Sequence, residues 1–159
     1  MKISTSSPWI KGGAAALVLA IAGSIGGYYE GKVNTTYVDI GGVPSICNGH
    51  TQGVQLGQVA TDDQCMTYLQ SDMKEAYGYV SACILAPITV TQAAAFTDAA
   101  YNAGKAVVCG STLQKLANSG HMKEACAQLL RWNKVNGKVV QGLVNRRQAE
   151  YDLCIEGLQ

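Results

Sequence analysis

Residues 1–46 contain no cysteine, and the six that follow, Cys47, Cys65, Cys83, Cys109, Cys126 and Cys154, form no C-x-x-C pair and meet no H-x-x-x-H motif. A structural or catalytic metal centre therefore lacks its usual ligand spacing, and the nearest trio, Cys47 and His50 with Cys65, would compete with oxidation. No metal and no cofactor is expected. Neither sign of charge dominates, with 12 Lys+Arg, 11 Asp+Glu and a net charge of +1. Nucleic acid is disfavoured as a partner, because no helix-turn-helix, finger or aromatic-plus-basic strand accompanies the basic residues that are present. Repeats are lacking, and so is low complexity beyond one Gly/Ala-rich stretch. A strongly apolar run is missing as well. The 18 uncharged residues 12–29 hold five Gly, five Ala and only five Leu, Ile or Val, long enough to span a bilayer but weakly apolar for one.

What is present starts with length. A chain of 159 residues accommodates one domain with a real core and no second folded unit. Residues 105–147 carry eight Lys or Arg against the single acid Glu124, so one side of the C-terminal half is expected to be basic, suited to a polyanionic envelope. Solvated helix faces account for most of these charges. Lys2 and Lys11 precede the uncharged segment and few charges follow it, which favours an N-in orientation with the bulk of the chain exported. Ala20-Ile21-Ala22 supplies an A-x-A site for a cleaved signal peptide. The uncleaved reading is preferred, because the apolar run continues to Tyr29.

Three helices are announced by a Ser or Thr followed by Gln three residues on, the capping-box pattern. Thr61 with Gln64 opens one to about Ser81, Thr89 with Gln92 opens one closed near Gly104, and Ser111 with Gln114 opens a short one closed by Gly120. Two more run from about Met122 to Trp132 and from Leu143 to Glu156. The expected class is α+β, mainly α, with one small sheet. Tyr68, Leu69, Met73, Phe96, Leu113, Leu116, Leu129, Leu130 and Leu153 are expected in the core. An even cysteine count beside an export segment points to disulfides, and spacing alone leaves 15 pairings open. The order of the elements narrows them to Cys47 with Cys65, Cys83 with Cys109 and Cys126 with Cys154.

The most informative stretch is residues 30–51, EGKVNTTYVDIGGVPSICNGHT. Glu30 and Asp39 lie nine residues apart, with a hydroxyl at Ser45 and a Gly49-His50 pair just beyond, on what reads as a helix end followed by a small hairpin. Glycosidic cleavage needs one carboxylic acid to protonate the leaving oxygen and a second carboxylate to activate water or act as nucleophile. Glu30, beside Tyr28, Tyr29 and the apolar run, suits the acid; Asp39, in a polar, Gly-flanked hairpin, suits the charged role. A plain turn at Asp39-Ile40-Gly41-Gly42 is the competing reading.

At these residues the chain resembles the phage-type lysozymes, glycoside hydrolase family 24, and more narrowly the membrane-tethered endolysins of tailed phages. The family pattern of Glu, Asp nine on, Thr six further and a nearby Gly-His reads here as Glu30, Asp39, Ser45 and Gly49-His50, with Ser keeping the hydroxyl. Blocks at residues 101–104, 111–113 and 142–150 extend the likeness over about residues 28–157. The resemblance implies a lysozyme-like fold, with a small β-hairpin lobe and a helical lobe behind a weakly hydrophobic N-terminal helix. It divides the chain into a signal-anchor-release segment, 1–27, and a catalytic domain, 28–159. It implies a monomer that hydrolyses the β(1→4) bond between N-acetylmuramic acid and N-acetylglucosamine in peptidoglycan with inversion, and that causes host lysis. The enzyme would be exported to the inner membrane, held there inactive, then released to the periplasm. With no cysteine in residues 1–46, that control would be positional.

By the same resemblance Glu30 is the acid, Asp39 and Ser45 hold the attacking water, and Asn102 bonds the sugar's N-acetyl group. His50 pairs structurally with Asp72. Arg146 or Arg147 pairs with Glu30, unless both form ordinary surface salt bridges. The rivals are a lytic transglycosylase, which would not depend on Asp39, and a non-catalytic wall-binding protein, which would not depend on Glu30. A membrane structural protein fits the spaced polar motifs poorly.

Overall fold

The structure, a computed structural model, describes residues 2–4 and 13–159. Lys11 lies outside the described residues. The first helix, α1, runs over Gly13–Glu30 and ends where Gly31 takes a left-handed φ of 67°. Strands β2 (Val33–Val38) and β3 (Pro44–Cys47) follow as an antiparallel hairpin with Tyr37 opposite Ser45. Helices α2 (Asp62–Cys83) and α3 (Val90–Ala103) come next, then α4 (Thr112–Asn118), α5 (Met122–Gln128) and α6 (Gln141–Glu156). The fold is mainly helical with small antiparallel sheets, the architecture expected from the sequence.

The capping chemistry holds at two helices and is redirected at a third. Thr61 and Gln64, and Thr89 and Gln92, form reciprocal capping boxes. Ser111 accepts from the Gln114 amide, but the Gln114 side chain accepts from Gly110 N–H and donates to Cys83 O, tying α4 to the end of α2. The single sheet anticipated from sequence becomes three two-stranded pairings. Short β1 (Lys2–Ser4) pairs with β4 (Pro87–Thr89), and β5 (Lys134–Val135) pairs with β6 (Lys138–Val139). The second hairpin turns at Asn136-Gly137, both left-handed at φ 50° and 76°, the Asn-Gly signature of a two-residue hairpin turn. That signal stands in the sequence, between the two C-terminal helices.

Helix α3 is the axis of the molecule, with Gln92 to Ala100 buried in an unbroken run. Ala93, Ala94, Ala95, Ala99 and Ala100 are at most 2% exposed, and their small side chains let α1, α2 and α6 all pack closely on one helix. Of the anticipated core, Met73, Phe96, Leu113 and Leu129 are buried, and Leu69, Leu116 and Leu153 pack partly buried against them. Tyr68 joins a separate small cluster under the hairpin with Ile46, Cys47, Ala60 and Cys65. Leu130 falls in a 3-10 turn, Leu129–Arg131, and stays partly exposed.

The boundary expected between residues 27 and 28 falls inside α1, which is continuous across it. Val18 and Ala22, 1% and 0% exposed, belong to the main core. Gly26 is tightly packed, since a Cβ there would displace the end of the Met73 side chain and sit 3.2 Å from Asp98 Oδ1, whereas Gly23 and Gly27 face open space. Among the described residues no helix is long and apolar enough to cross a membrane.

Disulfides join Cys47 to Cys65, Cys83 to Cys109 and Cys126 to Cys154. The first fastens the hairpin to α2, the second the end of α2 to the turn before α4, and the third α5 to α6. Cys126 and Cys154 are both fully buried and close a loop of 28 residues. Replacing both with Ala is expected to cost about 3 kcal/mol through loop-closure entropy, read as a lowered midpoint in thermal denaturation of the oxidised protein.

Candidate active site

A cleft of about 860 Å³ opens between the β2–β3 hairpin and the helical body, and Glu30, Asp39, Ser45 and Asn102 all line it. Each is placed by a local device. Glu30 is the last residue of α1. Its carboxylate lies so close to Gly49 that a Cβ there would be 3.1 Å from Oε2, and Gly49 also has a φ of 82°, so close approach and backbone conformation both call for glycine. Asp39 starts the hairpin turn, accepting from Gly42 N–H through its carbonyl and from Val43 N–H through Oδ1 at 2.8 Å. Among the described residues no donor meets Oδ2. Ser45 is 1% exposed and its hydroxyl donates to Val43 O at 3.1 Å, which leaves Oγ free to accept.

Glu30 does not sit in the apolar surroundings that its sequence neighbours suggest. Tyr28 is 80% exposed. With α1 ending at Gly31, the carboxylate turns toward α3 and α6, where Oε1 accepts from Asn102 Nδ2 at 2.9 Å and from Arg146 Nη1. Arg146 and Arg147 are 2% and 0% exposed, so neither belongs to a surface salt bridge or to a basic face. Arg146 makes a bidentate pair with Asp98, Nε to Oδ2 at 2.9 Å and Nη2 to Oδ1 at 2.8 Å. Its guanidinium lies 5.9 Å from the Tyr29 ring centre and 5.7 Å from that of Tyr101. Burial alone would lower its pKa; the hydrogen bonds and charge of Asp98, then Glu30 and Glu150, outweigh that and leave it raised.

Asn102 is engaged on both sides of its amide, donating to Glu30 and accepting from Arg147. It thereby orients the Glu30 carboxylate. Tyr37 and Tyr101 enter the site without having been singled out from sequence. The Tyr37 phenol is raised by burial first, then by the charges of Glu30 and Asp39, so it stands within electrostatic reach of both carboxylates. Tyr101 is raised by burial and by Glu30 and Asp72, and its hydroxyl donates to Asn48 O. Asp98, the other unanticipated member, had one sequence signal: it is the sole charge in an otherwise apolar and polar-neutral α3.

His50 and Asp72 meet behind the hairpin and outside this cleft. His50 Nδ1 lies 2.8 Å and 3.0 Å from the two Asp72 oxygens, and its ring stacks on Tyr68 with centres 4.2 Å apart. The disulfide between Cys47 and Cys65 removes both sulfurs as thiolate ligands beside His50.

Two carboxylates on separate elements of one open cleft, one held by a cation and an amide and the other by a turn, are the arrangement of glycoside-cleaving enzymes. Residues 27–150 match the phage lysozyme family, and the chain belongs to it. It is 42% identical to the SAR-endolysin of Pseudomonas phage phiKMV over 146 residues, 89% of each chain. It is 35% identical to that of Enterobacteria phage P21 over 153 residues, covering 94% of this chain and 93% of the relative. Its fold superposes on the active form of P1 phage endolysin Lyz with a TM-score of 0.76 at 25% identity, over 92% of this chain and 95% of that one.

The Asp72 carboxyl is raised by burial, an effect that the hydrogen bond and charge of His50 oppose. Removing His50 leaves burial unopposed and moves the carboxyl further up, so stability is lost where Asp72 would be ionised and recovered as acid protonates it. His50→Asn is expected to cost about 2 kcal/mol at pH 5–6, with the loss shrinking toward pH 4 and activity per folded molecule unchanged. Thermal denaturation against pH beside a lysis assay checks both.

Proposed function

We propose that the chain is an endolysin that hydrolyses the β(1→4) bond between N-acetylmuramic acid and N-acetylglucosamine in peptidoglycan, with inversion at the anomeric carbon. The observation that carries this is the convergence of Glu30, Asp39 and Ser45 on one cleft in a chain of the phage lysozyme family. Glu30, as the acid, gives its proton to the glycosidic oxygen as the bond to the anomeric carbon breaks. A water donates one O–H to Asp39 and the other to Ser45 Oγ, whose own hydrogen is committed to Val43 O, and its lone pair attacks the opposite face of the sugar. Asp39 takes the proton, and solvent exchange restores both carboxyl groups. Inversion requires room for that water, with carboxyl groups about 6.5–9.5 Å apart. Asn102 serves the sugar's N-acetyl group once substrate displaces its contacts. The reaction takes neither metal nor cofactor, and the enzyme acts as a monomer without nucleic acid.

The names of the relatives support a membrane stage. Helix α1 has 18 residues and is about 27 Å long at ~1.5 Å per residue, just under a typical hydrocarbon core of about 30 Å. In this reading it is exported, rests in the inner membrane, and leaves for the periplasm, where core burial of Val18 and Ala22 replaces lipid contact. While α1 is in the bilayer, Glu30 at its end is withdrawn from Asp39. Cleavage after Ala22 is disfavoured because it would strip Val18 and Ala22 from the core.

The test is mass spectrometry and NMR of muropeptides released from purified peptidoglycan by the oxidised protein. Reducing muramic ends of inverted configuration are expected, with both Glu30→Gln and Asp39→Asn losing at least about a hundredfold in rate, the scale of general acid/base contributions. Anhydro ends that survive Asp39→Asn would identify a transglycosylase, and no release at all with wall binding intact would leave a wall-binding protein.

A further inference from the structure

The hydrolytic chemistry leaves Arg147 without a task, although its side chain is fully buried. Taking a guanidinium out of water is expensive unless its donors are met. Glu150, also fully buried, lies 3.1 Å from Arg147 Nη1, but among the described residues neither Nη1 nor Nε makes an aligned hydrogen bond, and neither Glu150 oxygen receives one. The aligned bond from the Arg147 side chain runs instead from Nη2 to Asn102 Oδ1. An arginine placed only to join helices would direct that donor at its acid. This one directs it at an amide that lines the cleft.

An asparagine amide has an acceptor end and a donor end, and its shape alone does not decide which way it faces. Arg147 has no lone pair to offer, so Oδ1 is the end that meets it. Nδ2 is then the end turned to Glu30, where it donates to Oε1 at 2.9 Å. Arg146 Nη1 donates to the same oxygen, and two donors take up both lone pairs of Oε1. Among the described residues no donor meets Oε2, which lies beside Gly49, where an added Cβ would come within 3.1 Å of it.

We propose that Arg147 is a positioning residue that acts through Asn102, fixing the amide so that Oε1 of Glu30 is filled and the proton of the acid is carried on Oε2, beside Gly49. The proposal rests on the reading of Glu30 as the acid. A carboxylic acid has one carbonyl oxygen, which accepts, and one hydroxyl oxygen, which donates. Donors divided between the two oxygens would be disturbed when the acid takes its proton. With both on Oε1, the proton enters on Oε2 and no bond is lost. In the reaction the Oε2–H bond breaks, leaving its electron pair on the carboxylate, as the new O–H bond forms on the glycosidic oxygen. A reversed amide would set Oδ1 against Oε1, two acceptors with no hydrogen between them. Gly49, with no side chain, leaves the space in front of Oε2 that the leaving oxygen must enter.

The test is a double-mutant cycle on kcat per folded molecule, measured on purified peptidoglycan with the oxidised full chain as wild type, Asn102→Ala, Arg147→Met and both together, beside Glu30→Gln. Asn102→Ala is expected to lower kcat by about ten- to a hundredfold, the scale of a misplaced catalytic group, and Arg147→Met by a similar factor. In the Asn102→Ala background Arg147→Met should change kcat by less than about twofold, because the group it acts through is gone. A merely structural arginine would cost stability in either background and leave kcat per folded molecule alone. Equal losses of kcat in both backgrounds, or none in either, overturn the proposal. If Arg147→Met does not fold because Glu150 is left buried without a cation, the cycle runs with Glu150→Gln throughout.

The oxygen is tested by Gly49→Ala against Gly53→Ala. Both positions have positive φ, 82° and 71°, but a Cβ at Gly53 meets nothing within 4 Å, so the two variants share backbone strain and only Gly49→Ala crowds Oε2. A loss in kcat of about tenfold or more confined to Gly49→Ala supports delivery from Oε2, and equal kcat in the two overturns it. If no Arg147 variant folds, this pair decides. A wild type inactive on peptidoglycan, or Glu30→Gln at full rate, fails the endolysin reading itself; equal costs of Arg147→Met in both backgrounds, with Glu30→Gln inactive, fail this proposal alone.

Discussion

The bidentate pair between Arg146 and Asp98 is the interaction on which the site depends. It joins α6 to α3 in the interior, and from that fixed point the guanidinium reaches the end of α1 to hold Glu30. Three helices are thereby registered to one another, and Asn102 of α3 joins the same three again through Glu30 and Arg147. Burying a guanidinium is costly unless its donors are met and its charge is balanced. Here Asp98, Glu30 and the faces of Tyr29 and Tyr101 do both, and the cleft inherits its geometry from that satisfaction.

The hairpin side is built by a different principle. Asp39 is aimed by a backbone turn, and the lobe is fastened by a disulfide and a His–Asp pair, with only Ile46, Cys47, Ala60 and Cys65 as its buried core. A lobe with so little apolar burial cannot hold its register by packing alone. Covalent and charged fasteners compensate, and none of their four residues lines the cleft.

Much of this was legible from local signals. Thr61 with Gln64 and Thr89 with Gln92 announce helix starts because capping is a contact between residues three apart. The Glu30, Asp39, Ser45 and Gly49-His50 spacing was readable because the hairpin is local too. What escaped was set by residues distant in the chain. Asp98 and Glu150 look like incidental charges on two helices until α3 and α6 are packed together, and Arg146 and Arg147 read equally well as surface residues. The surroundings of Glu30 were misjudged for the same reason: sequence neighbours Tyr28 and Tyr29 stood in for spatial neighbours that lie over 70 positions away. The Asn136-Gly137 hairpin is a different case, a local signal overlooked because its strands are two residues long.

The contrast between Gly26 and its neighbours in α1 bears on how this helix can drift. At Gly26 a side chain would displace the end of Met73 and crowd Asp98, so the folded enzyme favours glycine there. At Gly23 and Gly27 nothing stands within 4 Å of an added Cβ, and the folded enzyme is indifferent to what occupies them. Any selection that keeps glycine at those two positions must act at a moment when the chain is not yet in this shape. The substitution record of a single helix would thus keep two histories apart, one written by the finished protein and one by its passage there.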